Sequence, residues 1–144
     1  MASVTSTATY LIDTSALARL SVPQVGDVLR PRIDAGRVAI TAVTWLEIGG
    51  TARSRSDHDR SQRRILERLQ FVYGSPRSQR RAIEVQQALM NVEYHRAVKL
   101  PDLLIASTAE AQGLTVLHYD ADFDRIAAVT EQPVEWVVPA GTVP

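Results

Sequence analysis

A short apolar segment that ends at a carboxylate constrains the fold of this chain more than any other sequence feature. Tyr10–Ile12 is apolar, Asp13 follows directly, and Thr14 and Ser15 come next. Such a segment is typical of a buried strand, and the two hydroxyl residues favour the start of a helix. A carboxylate at the carboxyl end of a buried strand lies at the edge of an α/β sheet where ligands usually bind.

Apolar strands alternate with helices along the rest of the chain. The order predicts one α/β domain over residues 9–138, a three-layer α/β/α sandwich around a central parallel sheet. A length of 144 residues suits a single core. Residues 1–8 and 139–144 are predicted to be loose. Strands are predicted at 9–13, 37–41, 71–73, 114–119 and 133–138, and helices at 15–20, 23–35, 42–51, 56–70, 78–93, 102–112 and from 120 to about 129.

Three of these helices carry more detailed predictions. Pro31 predicts a kink or break in the helix over 23–35. Ser56 is the predicted cap of the helix over 56–70, because an acid, Asp59, follows three residues later. The inward-facing residues are predicted from spacing. They are Ile65, Leu66 and Leu69 in the helix over 56–70, and Ile83, Val85, Ala88, Leu89 and Val92 in the helix over 78–93.

Charge is balanced overall but unevenly distributed. The net charge is zero, and the segment 53–81 holds nine arginines against three acids. Arginine suits phosphate recognition, so this segment is a candidate contact for nucleic acid, and a solvated helix face is the plainer alternative. The candidate contact residues are Arg53, Arg55, Arg63 and Arg64.

Other features of the sequence restrict the class of protein and the compartment in which it is expected. The chain has no cysteine, which rules out disulfides and thiolate metal sites and fits a reducing cytoplasm. No apolar run approaches the roughly 20 residues of a transmembrane helix, and the N-terminus does not resemble a signal peptide, so no membrane association is expected. Motifs of serine hydrolases, P-loops and dinucleotide folds are absent. His118, near the end of a strand, is predicted to be packed in the protein interior rather than to be a metal ligand.

Four carboxylates occupy positions that could converge. Asp13 and Asp120 each end a strand, Asp102 follows Pro101 at a helix start, and Glu47 lies within a helix. Taken singly, each has a structural explanation as a cap, a partner of a helix dipole or a solvated side chain. Held close together they would repel one another without a cation. Oxygen ligands favour Mg²⁺ or Mn²⁺, and such a metal activates water for attack on phosphorus.

Four sequence blocks carry a resemblance to a known family. They are Leu11–Leu17 (LIDTSAL), Thr44–Ile48 (TWLEI), Leu100–Ala106 (LPDLLIA) and His118–Ile126 (HYDADFDRI). Together they resemble the PIN-domain family, in particular the VapC-type toxins of bacterial toxin–antitoxin pairs.

The resemblance implies a PIN fold and a Mg²⁺- or Mn²⁺-dependent endoribonuclease that cleaves structured RNA such as transfer or ribosomal RNA. It also implies a homodimer, and an antitoxin that lays a C-terminal segment across the acidic cleft. Carried over by position, the catalytic acids are Asp13, Glu47, Asp102 and Asp120, and the metal ligands are Asp13, Asp102, Asp120 and Asp122. The fourth acidic position falls within 120–122, where Asp120 is the first choice and Asp122 is a second contributor or a water-mediated ligand. The supporting hydroxyl residues are Thr14 and Ser15. Asp124 is expected to lie outside the site.

Two other functions remain open from the sequence. The first is an RNA- or protein-binding module of the same fold with a degenerate site, although all four acids are present. The second is an enzyme of the phosphatase or receiver type, in which Asp13 would be the nucleophile. The phosphatase version expects an acid two residues after Asp13, where this chain has Ser15.

Overall fold

The protein contains a five-stranded parallel sheet with helices on both faces. The computed structural model describes residues 8–64 and 66–144. The strands are β1 (Tyr10–Ile12), β2 (Val38–Ile40), β3 (Gln70–Phe71), β4 (Thr115–His118) and β5 (Val134–Trp136). The helices are α1 (Thr14–Leu17), α2 (Pro23–Asp34), α3 (Ala42–Gly50), α4 (Arg55–Arg64), α5 (Pro76–Asn91), α6 (Leu100–Gln112) and α7 (Asp122–Thr130). A 3₁₀ turn occupies Leu66–Arg68.

The strand order places β1 at the centre of the sheet. The order is β3-β2-β1-β4-β5, and every neighbouring pair is parallel. Leu11 is paired with Ala39 on one side and Val116 on the other. All carboxyl ends therefore meet at one edge, and Asp13 lies at its middle. The predicted α/β/α sandwich is confirmed.

Alternate residues of the strands supply two separate cores. Ile12 packs with Leu29 and Leu117 on the face covered by α2. On the opposite face Leu11 packs with residues of α5, α6 and α7, among them Phe123, which has no exposed surface. A sheet buried on both faces explains why its strands are almost continuously apolar in sequence.

The segment after α3 differs from the predicted single helix over 56–70. Helix α4 ends at Arg64, the 3₁₀ turn follows, and Ile65 lies outside the described residues. The cap is Ser54 rather than Ser56, since the Ser54 hydroxyl accepts the N–H of Asp57 at 3.0 Å. Both serines precede an acid by three residues, so the sequence offers two equivalent registers. Leu66 and Leu69 are buried as predicted.

The inner face of α5 was predicted only in part. Val85 and Leu89 are buried, as is Ala82, which the pattern did not include. Ile83 and Val92 are exposed, so their assignment to the inner face is wrong. Residues three and four apart share a helix face, and the line through 82, 85 and 89 excludes position 83.

Two further expectations concern α2 and the C-terminal residues. Helix α2 continues through Pro31 to Asp34, so the predicted break does not occur, and the alternative of a kink stays a prediction. Residues 139–144, expected to be loose, are attached to the domain: Val143 is buried, the Tyr119 hydroxyl donates to its carbonyl at 2.8 Å, and Arg19 Nε donates to the carbonyl of Pro144 at 2.8 Å.

No helix among the described residues combines the length and apolar character needed to cross a membrane.

Candidate active site

Asp13 is held rigidly at the carboxyl end of the central strand. Its N–H donates to the carbonyl of Leu117 at 2.9 Å, which ties it to β4. Its Oδ2 caps α1, accepting the N–H of Ser15 at 2.9 Å and the Ser15 hydroxyl at 2.5 Å. The same hydroxyl accepts the N–H of Tyr119 at 2.9 Å. Ser15 therefore links β1 to the segment after β4 and fixes the orientation of the Asp13 carboxylate.

Three further acids converge beside it. Asp102 lies in the first turn of α6, Asp120 follows β4 and Asp122 begins α7. One carboxylate oxygen from each lies within 4.8 Å of the others. Asp102 and Asp122 are buried, and the Asp122 N–H donates to Asp120 Oδ1 at 2.9 Å. The structure thus brings Asp102, Asp120 and Asp122 together, a convergence that the sequence spacing permitted and that the family resemblance implied.

Glu47 reaches the same cleft from α3 but stands outside that group of three. The hydroxyl of Thr14 donates to Glu47 Oε1 at 2.6 Å, so Thr14 connects α1 to α3. Glu47 is half-buried, and its charge adds to the effect of burial, which is the main cause of the raised pKa of Asp13. The two predicted supporting residues therefore make different contacts: Ser15 binds Asp13, and Thr14 binds Glu47.

The acids of this cleft strongly perturb one another. Burial, the charge of Asp13 and a hydrogen bond with Asp122 raise the pKa of Asp102 to about 8. Burial also raises the pKa of Asp13, an effect that the hydrogen bonds from Ser15 oppose. Asp102 therefore holds a proton at neutral pH when no cation is near, and two carboxyl groups can share a hydrogen bond only in that state.

Two buried carboxylate oxygens have no hydrogen-bond donor among the residues the structure describes. They are Asp13 Oδ1 and Asp102 Oδ2. Buried polar atoms are rarely left without a partner, and carboxylate oxygens are the ligands that Mg²⁺ and Mn²⁺ prefer. The closely spaced group of Asp102, Asp120 and Asp122 fits such a cation, because it offers only oxygen ligands and one of its oxygens, Asp102 Oδ2, is among the two without a described donor.

His118 is packed, as predicted, and contributes no charge. It is fully buried, and its Nδ1 accepts the N–H of Asp120 at 3.1 Å. Its ring lies 5.0 Å from that of Phe123 and 4.9 Å from that of Trp136. Burial lowers the pKa of His118 to about 4, so the ring is neutral at physiological pH. Through its hydrogen bond, the His118 ring stabilises the backbone at Asp120.

Sequence reasoning missed two cations at the cleft. Arg125 Nη1 lies 2.7 Å from Asp122 Oδ1, and Lys99 Nζ lies 3.8 Å from Asp120 Oδ2. Arg125 could have been recognised, since it follows Asp122 by three residues on a helix. The contact of Lys99 depends on tertiary structure. Asp124, expected outside the site, accepts hydrogen bonds from Trp136 Nε1 instead.

The arginines proposed to contact nucleic acid lie on or beside α4. All four are exposed, and α4 buries none of its described residues. Arg64 also lines a concavity of about 480 Å³ whose floor includes Leu17, Ile48 and Leu66. Within the described ranges, none of the four forms an ion pair with an acid of the cleft.

Comparison with known proteins places this architecture in a family. The profile of the PIN domain matches residues 10–129. The chain belongs to the PIN-domain family. Within that family it is similar to the VapC proteins of Mycobacterium tuberculosis. It is 46% identical to Ribonuclease VapC21 over 136 residues, covering 94% of this chain and 99% of the relative. It is also 46% identical to Ribonuclease VapC51, covering 93% and 96%.

Solved structures of VapBC proteins share its fold. Rickettsia felis VapBC2 bound to a promoter DNA fragment aligns with a TM-score of 0.73 at 18% identity, covering 88% of this chain and 96% of that chain. DNA-bound VapBC from Salmonella typhimurium aligns with a TM-score of 0.72 at 16% identity, covering 91% and 99%. At these identities the likeness establishes the fold. The resemblance of the four sequence blocks to VapC-type proteins is confirmed by the curated relatives.

Proposed function

We propose that this protein is a Mg²⁺- or Mn²⁺-dependent endoribonuclease that acts as the toxin of a type II toxin–antitoxin pair. The observation that carries the proposal is the convergence of Asp102, Asp120 and Asp122 beside Asp13, with buried carboxylate oxygens to which no described residue donates. The names of the relatives at 46% identity, Ribonuclease VapC21 and VapC51, support the reaction class.

The residues proposed to hold the cation are Asp102, Asp120 and Asp122, whose carboxylate oxygens lie within 4.8 Å of one another, together with Asp13 beside them. A divalent cation held there supplies Lewis-acid chemistry, which makes a phosphodiester more electrophilic and water a better nucleophile at neutral pH. Ser15 orients Asp13, and the proton on Asp102 must leave before that carboxylate can bind a cation. Glu47, tied to Thr14, is the acid best separated from the group of three and is a candidate acceptor for a proton from water.

The RNA substrate is proposed to be a structured one, transfer or ribosomal RNA, with phosphates contacted by Arg53, Arg55, Arg63 and Arg64. An exposed basic helix without a buried face binds a polyanion through counterion release rather than base recognition. This site is distinct from the acids and would position the RNA backbone. The proposed compartment of the reaction is the cytoplasm, where such RNAs are found.

The proposed partners are an antitoxin and a second copy of this chain. The structural neighbours from Rickettsia felis and Salmonella typhimurium are VapBC assemblies, which supports an antitoxin partner here. The antitoxin is expected to cover the acidic cleft, and two copies of this chain are expected to form a homodimer.

Cleavage of purified cellular RNA tests this function. Wild type, Asp13→Asn and Asp124→Asn are compared with Mg²⁺, with Mn²⁺ and with EDTA. Asp124 is the matched control, because it belongs to the same acidic run but binds Trp136 instead of the cleft. Discrete metal-dependent fragments are expected from wild type and Asp124→Asn. Asp13→Asn should lose more than the roughly 10²–10⁴-fold typical of one acid–base group, since cation binding itself is impaired.

Equal cleavage by Asp13→Asn and wild type would refute the assignment. Mn²⁺ binding without cleavage of any cellular RNA would argue against a general nuclease and for a narrow substrate. Absence of both cleavage and Mn²⁺ binding would favour the degenerate binding module.

A further inference from the structure

Of the basic side chains that the structure describes, Arg125 makes the shortest contact with an acid of the cleft. It lies one turn after Asp122 on α7, and its Nη1 donates to Asp122 Oδ1 at 2.7 Å. The Asp122 side chain is only 6% exposed, against 38% for Arg125. A buried carboxylate with one charge-assisted hydrogen bond is restrained in orientation, and such bonds are among the strongest that side chains make.

Asp122 stands next to two other acids of the cleft. Its N–H donates to Asp120 Oδ1 at 2.9 Å, and one of its carboxylate oxygens lies within 4.8 Å of an oxygen of Asp102 and an oxygen of Asp120. A group that restrains the Asp122 carboxylate therefore fixes where its oxygens stand relative to the two other acids.

The guanidinium of Arg125 is itself supported from a third segment. Its carbon lies 5.7 Å from the centre of the Tyr94 ring, a cation–π arrangement. Tyr94 belongs to the connection between α5 and α6, the same connection that ends in Lys99. Arg125 is therefore held between this connection and α7.

We propose that Arg125 is a positioning residue of the divalent-cation site: by binding one oxygen of Asp122 it orients the Asp122 carboxylate toward Asp102 and Asp120. The inference rests on the proposed function. It also distinguishes the two acids of the Asp-Ala-Asp run, because Asp122, with one oxygen bound to Arg125, can offer the cation only its other oxygen.

A positioning role and a purely electrostatic role predict opposite effects. A positive charge beside a cation site repels the cation, so removing it would tighten Mn²⁺ binding if charge were all that mattered. Loss of a group that orients ligands lowers metal affinity by about 10–100-fold. The sign of the change therefore separates the two.

The experiment is Mn²⁺ titration of the full chain by calorimetry without RNA. Arg125→Gln is compared with wild type and with Arg96→Gln, which removes the same charge from the connection before α6. Mn²⁺ affinity is expected to fall about 10–100-fold in Arg125→Gln and to be unchanged in Arg96→Gln. Equal or tighter binding by Arg125→Gln would overturn the proposal.

Two additional variants keep the test independent of folding. Arg125→Lys retains the charge but not the guanidinium fork, so it should also bind Mn²⁺ more weakly, and wild-type affinity would contradict the proposal. In the Asp122→Asn background, Arg125→Gln should have little further effect, because its action passes through Asp122; additive losses would reject that route. Circular dichroism melts establish that each variant is folded.

The outcomes also separate this proposal from the function on which it rests. If wild type does not bind Mn²⁺, both fail. If wild type binds Mn²⁺ and the Arg125 variants bind equally well, the metal site stands and only the role of Arg125 is rejected.

Discussion

Mn²⁺ binding by this protein should depend steeply on pH, because a proton on Asp102 competes with the cation. With a pKa of about 8, about nine-tenths of the Asp102 side chains are protonated at about pH 7. The carboxyl group must ionise before it binds a cation. Affinity should therefore rise about tenfold per pH unit from about pH 6 to 7.5 and level off above about pH 8.5.

Calorimetry in buffers with different ionisation enthalpies measures this directly. About one proton should be released per Mn²⁺ bound at about pH 7, and release should approach zero above about pH 9. Asp102→Asn should remove most of the proton release as well as most of the affinity. Tight binding at neutral pH with no proton release would refute the reasoning, since Asp102 would then be ionised already or would not be a ligand.

The same group makes a signed prediction for stability in the absence of metal. Because the folded pKa of Asp102 lies above its unfolded value of 3.8, the folded state holds a proton that the unfolded state has lost. This contribution is complete below about pH 4 and is lost as pH rises through about 8, an effect on the order of a few kcal/mol. Urea titrations should show wild type losing stability over that window and Asp102→Asn, which cannot ionise, losing less. A difference in unfolding free energy between the two proteins that does not change with pH would contradict the assignment.

Three other expectations concern side chains around the cleft and on α4. Ser15→Ala leaves the N–H of Tyr119 and one oxygen of Asp13 without their hydroxyl partner, so urea unfolding should show a loss of about 1–3 kcal/mol, and an unchanged midpoint would count against this link. Tyr119→Phe removes the bond to Val143 and should cost about 0.5–1.5 kcal/mol, or roughly 1–6 °C in Tm, unless the tail is free in solution. Replacing Arg63 and Arg64 by Gln should weaken binding to all RNAs similarly and lower the salt slope by about 0.7 for each phosphate that is no longer bound; unchanged binding would make α4 a solvated face.

The main features of the fold follow from sequence because they depend on local patterns. Tyr10–Ile12 and residues 114–119 are apolar runs that end in acids, and parallel pairing brings Asp13 and Asp120 to one edge. Gly113, with a φ of 69°, ends α6 in the left-handed conformation that glycine favours. Ser54 and Ser56 are equally good helix caps by sequence, so the sequence does not decide at which of them α4 begins.

The details of the site depended on tertiary packing and could not be predicted in the same way. Spacing alone allowed Glu47 to point to solvent, and only the placement of α3 beside α1 brings it to Thr14. The contact between Lys99 and Asp120 joins two segments that are far apart in sequence, so no local pattern predicts it. Ile83 is exposed because only one narrow face of α5 is covered by the rest of the protein. The apolar character of a side chain does not by itself indicate that it lies on the covered face.

Diffraction from crystals grown with Mn²⁺, recorded to locate its anomalous signal, tests the proposed metal site most directly. One strong peak is expected within about 2.0–2.3 Å of oxygens from Asp102, Asp120 and Asp122, beside Asp13 at the carboxyl end of β1. No peak at that position under saturating Mn²⁺, or a peak elsewhere on the chain with these carboxylates unliganded, would contradict it.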